Sequence, residues 1–353
     1  MKKLLAILIV VSMFVMIFSG CAPEVSGGAS EEATTPAAGS SEAAGSSEPV
    51  ESTPVSSPAD IRIAGLKGPT SIGMVKLMED AESGAAANNY TFTIAGSADE
   101  VTPKLINGEF DIAAVPANLA SVIYNNTKGA VSILAVNTLG VIYIVDNGET
   151  IQQMSDLKGK TIYATGKGST PEYALRYLLS ENGIDPDKDV TFEWKSEPTE
   201  VVAILSENED TVAMLPQPYV TVAQTQVEGL RIAIDLTKVW DDLDNGSALL
   251  TGVVVIRNEF LNENKDAVDA FLNEYKASTE YVNANVEDAA ALVEKFDIVK
   301  AAIAKKAIPY CNITYIDGKD MKAAMSGYLS VLFEQNPKSI GGAMPDEKFY
   351  YEK

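Results

Sequence analysis

The chain matches itself when it is shifted by one hundred residues, with no gap. Lys67-Gly68-Pro69-Thr70 falls on Lys167-Gly168-Ser169-Thr170, and Thr91-Phe92 falls on Thr191-Phe192. Glu100-Val101, Leu105, Glu109, Ala113 and Pro116 recur as Glu200-Val201, Leu205, Glu209, Ala213 and Pro216. Eleven of the fifty-two positions from 67 to 118 are identical at this offset. Apolar runs and breakers coincide along with the identities, so the same supersecondary unit is used twice. Each copy opens with a strand that runs into a glycine turn and a helix. Two such lobes facing one another enclose a cleft, and a function is to be sought there.

The first residues have the plan of a secretory signal. Met1-Lys2-Lys3 is basic, residues 4–18 are almost wholly apolar, and Ser19-Gly20 supplies small residues before Cys21. The apolar run is short for a bilayer span, which needs about twenty residues. Phe18-Ser19-Gly20-Cys21 resembles a bacterial lipobox, with Phe where Leu is usual. That resemblance implies a signal peptide over 1–20, lipidation of Cys21, and a body held at the outer face of a membrane. Residues 21–58 are built from Ser, Ala, Glu, Pro, Gly and Thr. They offer too little apolar surface to offset the entropy of ordering, and a disordered tether is expected.

Residues 59–353 exceed the size at which one core usually keeps growing, consistent with two lobes. The formal net charge of −22 repels polyanions, which excludes nucleic acid and anionic lipid as partners. Of the two cysteines, Cys21 is assigned to lipid and Cys311 reads as a buried small residue, so no internal disulfide is expected.

Strands are predicted at 61–64, 90–94 and 111–115, with helices from Ile72 to Ala81 and from 99 to 107 between them. The second copy repeats the order, with strands at 161–164, 190–194 and 211–215 and helices at 171–180 and 199–206. This β-α-β-α-β series predicts parallel-rich sheets with helices on both faces. Apolar runs at 131–136 and 141–145 flank Asn137-Thr138-Leu139-Gly140, and 249–256 is another strand. These read as the outward and returning segments of a two-segment hinge. Helices from about Glu259 onward are expected to return onto the first lobe. The first lobe is then discontinuous, 59–138 with 252–353, and the second spans 139–251.

A glycine turn at a helix N-terminus presents backbone N–H groups with a preference for negative charge. Gly68-Pro69-Thr70-Ser71 and Gly168-Ser169-Thr170 are such turns, each preceded by a lysine, Lys67 and Lys167. Each reads alone as ordinary capping. Their paired placement at strand ends, where open α/β sheets hold ligands, favours hydrogen bonds to one small polar molecule from both sides. Asn118, Gln217 and Tyr219 follow the third strands and are candidate contacts, Tyr219 reading equally as packing. Asn137 and Thr138 are expected at the cleft floor, and Trp194 is expected to cover a core.

The chain contains no histidine, which removes the commonest general base and metal ligand together. No Walker or GxGxxG spacing is present, so no nucleotide cofactor is indicated. Asp241-Asp242-Leu243-Asp244 reads as a solvated loop without EF-hand spacing. No catalysis, metal or cofactor is expected.

Ser155-Asp156-Leu157-Lys158-Gly159-Lys160-Thr161, Gly166 to Thr170, Leu175-Arg176-Tyr177-Leu178-Leu179 and Asn182-Gly183-Ile184-Asp185 follow one another through the second copy. With Val253 to Phe260 and Asn264 to Leu272, their order and spacing resemble the substrate-binding proteins of ABC importers of the nitrate, sulfonate and taurine type, related to thiamine-precursor-binding proteins. The resemblance implies a two-lobe periplasmic-binding-protein type II fold, acting as a monomer. It implies closure on a small-molecule ligand, such as a sulfonate, another small anion or a polar heterocycle, and delivery to an ABC transporter permease. It places contacts at Lys67 to Ser71, Asn118, Asn137, Thr138 and Gly168 to Thr170. A Glu-Pro pair common in the family is Gln217-Pro218 here, which leaves no carboxylate for a ligand amine or metal. A surface sensor or adhesin acting through a protein partner is the alternative reading.

Overall fold

The computed structural model describes residues 58–353. The expected signal peptide, Cys21 and the tether up to 57 lie outside the described residues. In chain order the first part gives β1 (Asp60–Leu66), α1 (Pro69–Ile72), α2 (Val75–Glu82), β2 (Asn89–Ala95), α3 (Ala98–Ile106), β3 (Ile112–Pro116), α4 (Ala117–Asn126) and β4 (Val131–Leu139). Then come β5 (Ile142–Asp146), β6 (Thr161–Ala164), α5 (Thr170–Glu181), β7 (Thr191–Trp194), α6 (Pro198–Glu207), β8 (Val212–Pro216), α7 (Tyr219–Gln226), β9 (Arg231–Asp235) and α8 (Leu236–Asp241). The last part gives β10 (Leu250–Arg257), α9 (Asn258–Glu263), α10 (Lys265–Ala284), α11 (Val286–Lys295), α12 (Ala301–Ala307), β11 (Ile313–Ile316) and α13 (Gly318–Gln335).

The strands form two sheets, ordered β11-β4-β10-β3-β1-β2 and β7-β6-β8-β5-β9. The repeat is visible in both. β1 pairs parallel with β2 and β3, as β6 does with β7 and β8. The hundred-residue offset continues past the matched sequence, relating α4 to α7 and β4 to β9. The sheets are mixed rather than parallel-rich, because β10 and β5 each join antiparallel to the third strand. Both enter from the other lobe beside the carboxyl end of that strand, Gly252 opposite Pro116 and Ile142 opposite Pro216. A chain arriving at that end can only run back along it.

Sequence pattern explains the elements. β3 and β8 are central strands of continuous apolar residues, while β1 alternates, burying Ile61 and Ile63 around the exposed Arg62. α3 and α6 start with capping boxes at equivalent places, Ser97 with Glu100 and Glu197 with Glu200. The helix expected from Ile72 to Ala81 is instead two, broken at Gly73-Met74. The break lies where β11 comes close: a Cβ on Gly73 would stand 3.0 Å from Ile313 Cγ2. β4 also runs on through Asn137 and Thr138, expected at the hinge between two strands, because β10 and β11 both pair there.

One face of the first sheet packs Ile61, Ile63, Ile112 and Val254 against α2 and the returning helices α10–α12. Phe271 and Tyr275 stack within that layer at 5.7 Å. The other face shares a core with the second sheet, and α13 lies in it with Met321, Met325, Tyr328 and Leu329 buried. The second sheet's outer face is covered by α6 and α7. Cys311 is buried and unpaired, and burial pushes its thiol up to about 12.

Candidate ligand-binding cleft

A cleft of about 440 Å³ lies at the carboxyl ends of the repeated strands. From the first lobe it is lined by Leu66 to Thr70 after β1, Gly96 to Asp99 after β2, and Pro116 and Leu119. The second lobe answers with Thr165 to Ser169, Pro171, Trp194 to Ser196, Pro198 and Pro216. Ile142 and Thr251, on the two crossing strands, complete it. Equivalent strand ends of the two copies therefore face each other, and the two lysine-flanked glycine turns share one cavity. Gly166 and Gly168 take φ of 81° and 75°, conformations that favour glycine, which lets the second turn fold tightly against the cavity.

Besides three lysines, the cleft lining carries Asp99 and the hydroxyl side chains of Thr70, Ser97, Thr165, Ser169, Ser196 and Thr251. Thr70 is 6 % exposed, and its Oγ1 has no hydrogen-bond partner among the described residues. Thr251 Oγ1 is likewise buried without a partner. A buried hydroxyl left unmatched costs roughly 1–3 kcal/mol, and both of these belong to residues that line the cavity. Thr70 is fixed from behind, its carbonyl accepting from Asn137 Nδ2 at 3.1 Å. Three lysines line the cavity. Lys67 pairs with exposed Asp297 at 3.0 Å, Lys195 stands 3.7 Å from Glu193, and Lys167 has no acidic partner among the described residues. The remaining wall is mainly apolar, with five prolines, Leu66, Leu119, Ile142 and Trp194.

The two turns are not equal. α5 is twelve residues long and its N-cap, Ser169, donates its hydroxyl to Gly166 O at 2.8 Å instead of capping the first turn. The positive end of its dipole therefore faces the cavity. α1 has four residues and contributes backbone and a threonine hydroxyl but little dipole. One expected donor is already taken, since the Gly168 N–H donates to Glu172 Oε2 at 2.7 Å.

Of the residues expected to touch ligand, Lys67, Gly68, Pro69, Thr70, Lys167, Gly168 and Ser169 line the cleft. The others do not. Ser71 is fully buried, its hydroxyl against Gly65. Asn118 and Thr170 are fully buried at the junction of the lobes: Thr170 Oγ1 donates to Asn118 Oδ1 at 3.3 Å and accepts from Tyr328 Oη at 3.1 Å. Asn118 Nδ2 donates to Ser339 O at 2.8 Å. Asn137 and Thr138 lie in β4 beneath α1, joined side chain to side chain at 3.1 Å, because the strand continues past the position expected for the cleft floor. Gln217 turns to the opposite side of its strand from Pro216, away from the cleft. Tyr219, the first residue of α7, is 4 % exposed in the core that α6 and α7 share with the second sheet, its phenol pushed up to about 12 by burial and then by Glu197 and Asp297.

Sequence reasoning missed Thr251, Thr165 and Gly96 to Asp99, and placed Trp194 on the core alone. Trp194 packs on Phe192 at 5.4 Å and also lines the cleft. The offset held the signal for one of these: Gly96-Ser97 falls on Ser196-Glu197, and both pairs follow second strands and open capping boxes. The lobes approach closely there, since a Cβ on Gly96 would stand 2.7 Å from Glu197 Oε1.

A family model described as the NMT1-like family matches residues 71–295. An ABC transporter structure from Parabacteroides distasonis superposes with a TM-score of 0.69 at 24% identity, covering 83% of this chain and 99% of that one. The periplasmic aliphatic sulphonate binding protein of Escherichia coli superposes at 0.66 with 18% identity, over 84% of this chain and 93% of that one. These likenesses establish the fold as the two-lobe periplasmic-binding type. A Brucella abortus protein, whose name assigns it binding and nothing more specific, is 27% identical over 169 residues, 48% of this chain and 50% of that protein. The chain thus spans about half the length of the curated relatives it matches.

Proposed function

Since the chain belongs to the NMT1-like family, we propose that it is an extracytoplasmic solute-binding protein that captures a small polar ligand between its lobes and delivers it to the permease of an ABC importer. The observation that carries this reading is the cavity shared by equivalent turns of the two copies, lined by Thr70 and Thr251, whose hydroxyls have no partner among the described residues. Three lysines and the α5 N-terminus favour an anionic head group such as a sulfonate or carboxylate. Prolines and Trp194 suit an apolar body. Residues 59–138 with 252–353 act as one lobe and 139–251 as the other. Ligand held by both lobes shifts the population toward closure by its differential affinity for that state. The protein acts as a monomer, binds without turnover, and is held to the membrane through lipidated Cys21.

A thermal-shift screen of small metabolites tests the reading. A ligand at one hundred times its Kd adds about 2.7 kcal/mol, a rise in Tm of roughly 4–5 °C. One chemical class is expected to give that shift, with no product by mass spectrometry. Turnover, or no shift from any class, would overturn it. Thr70→Val and Lys167→Ala are each expected to weaken the hit about ten-fold, and unchanged affinity in both would remove these turns from the site. For the anchor, Cys21→Ala is expected to move the protein from the membrane fraction to the soluble one.

A further inference from the structure

A second cavity, of about 600 Å³, shares no lining residue with the cleft. Successive strand residues separate the two: Ile142 and Pro216 face the cleft, Tyr143 and Gln217 the second cavity. Its wall also comes from both lobes. Gln217, Tyr143, Asp235 and Ile232 belong to the second sheet and the segments beside it, while Lys306 of α12 and Tyr310 belong to the part that returns to the first.

The polar groups of this wall are oriented. Gln217 is 2 % exposed, and its Oε1 accepts from the Thr221 backbone N–H at 3.4 Å and from Thr221 Oγ1 at 2.9 Å. A backbone N–H can only donate, so the amide atom facing it is the oxygen, and the NH₂ is turned the other way. Asp235 uses Oδ1 to cap α8, accepting from Thr237 N at 2.9 Å and Lys238 N at 3.3 Å, and its Oδ2 has no partner among the described residues. The Lys306 ammonium has no acidic partner there either, although its neighbour Lys305 pairs with Glu287. Opposite charges from the two lobes thus line one cavity without pairing with each other. Two of the three exposed large apolar side chains among the described residues, Ile232 at 40 % and Tyr310 at 61 %, line the same cavity.

We propose that this cavity is a second ligand site, for a small zwitterion of the amino-acid class with an apolar side chain. The carboxylate meets Lys306 and the Gln217 NH₂, the ammonium meets Asp235 Oδ2, and the side chain lies on Ile232 and the Tyr310 ring. An occupant touching both walls favours the arrangement of lobes seen here.

The test is a methyl-labelled NMR titration of the full chain with L-leucine, up to about 10 mM. Saturable shifts of the Ile232 methyls are expected, with Leu119 and Ile142 in the cleft unmoved. Lys306→Ala, at an exposed position that leaves the core intact, is expected to weaken binding roughly ten-fold or more. 4-Methylpentanoate, which lacks the ammonium, is expected to bind weaker by a similar factor. Shifts at Leu119 and Ile142 instead, equal binding by Lys306→Ala or by 4-methylpentanoate, or no shift at all would overturn the proposal. None of these outcomes depends on the metabolite screen of the cleft, so the two readings fail separately.

Discussion

Trp240→Ala is expected to lower stability by roughly 3–5 kcal/mol, the cost of removing a fully buried tryptophan and leaving its cavity. Trp240 is 0 % exposed on α8, with ring centroids 4.9 Å from Tyr177 and 5.7 Å from Tyr328, and its Nε1 donates to Ser247 Oγ at 3.2 Å. For a body of this size the loss corresponds to a fall in Tm of roughly 5–8 °C by scanning calorimetry. Affinity is expected to fall as well. Tyr328, which packs on Trp240 from α13, donates its hydroxyl to Thr170 at the start of the helix that faces the cleft. Trp240→Phe retains much of the contact and is expected to cost about half as much. A change of only about 2 °C for the alanine variant would show that the junction tolerates a void and that the lobes are held elsewhere.

The second large effect is expected at Gly252, on the strand that returns to the first sheet. A Cβ there would stand 2.5 Å from Thr70 Cγ2 and 2.6 Å from Asn137 Oδ1. Neither atom is the loose end of a long side chain. Thr70 sits in the α1 turn and Asn137 in β4, tied together at 3.1 Å. Gly252→Val must therefore push the turn off the sheet. The overpacking costs roughly 1–3 kcal/mol, and the displaced Thr70 hydroxyl is expected to lower affinity for the metabolite returned by the thermal screen by ten-fold or more, roughly the loss of one well-placed buried hydrogen bond. Gly252→Ala is expected to show the same effect in weaker form. Calorimetric titration of the alanine variant with unchanged Kd and unchanged Tm would show that α1 does not rest on this strand.

The succession of strands and helices within each copy was legible because it depends on local signals: apolar runs of strand length, breakers between them, and a second copy to confirm each element. The glycine turns were legible for the same reason, since the geometry that brings backbone to a cavity is written in Gly68, Gly166 and Gly168. The roles of the polar residues were not. Asn118, Asn137 and Thr170 have the chemistry of ligand contacts, yet each is turned onto a partner distant in sequence: Ser339, the Thr70 carbonyl, Tyr328. Nothing near them in the chain announces those partners. Thr251 was missed for the converse reason. It belongs to no repeated motif, and it reaches the cleft only because β10 enters beside the end of β3.

That entry also sets an order of assembly. β10 lies between β3 and β4, so the first sheet stays in two pieces until residue 257 has been synthesised. All five strands of the second sheet lie between 142 and 235 and have all been synthesised by then. The half made later in the chain is thus the first that can be whole, and it is available as a template when its elder twin closes around the incoming strand.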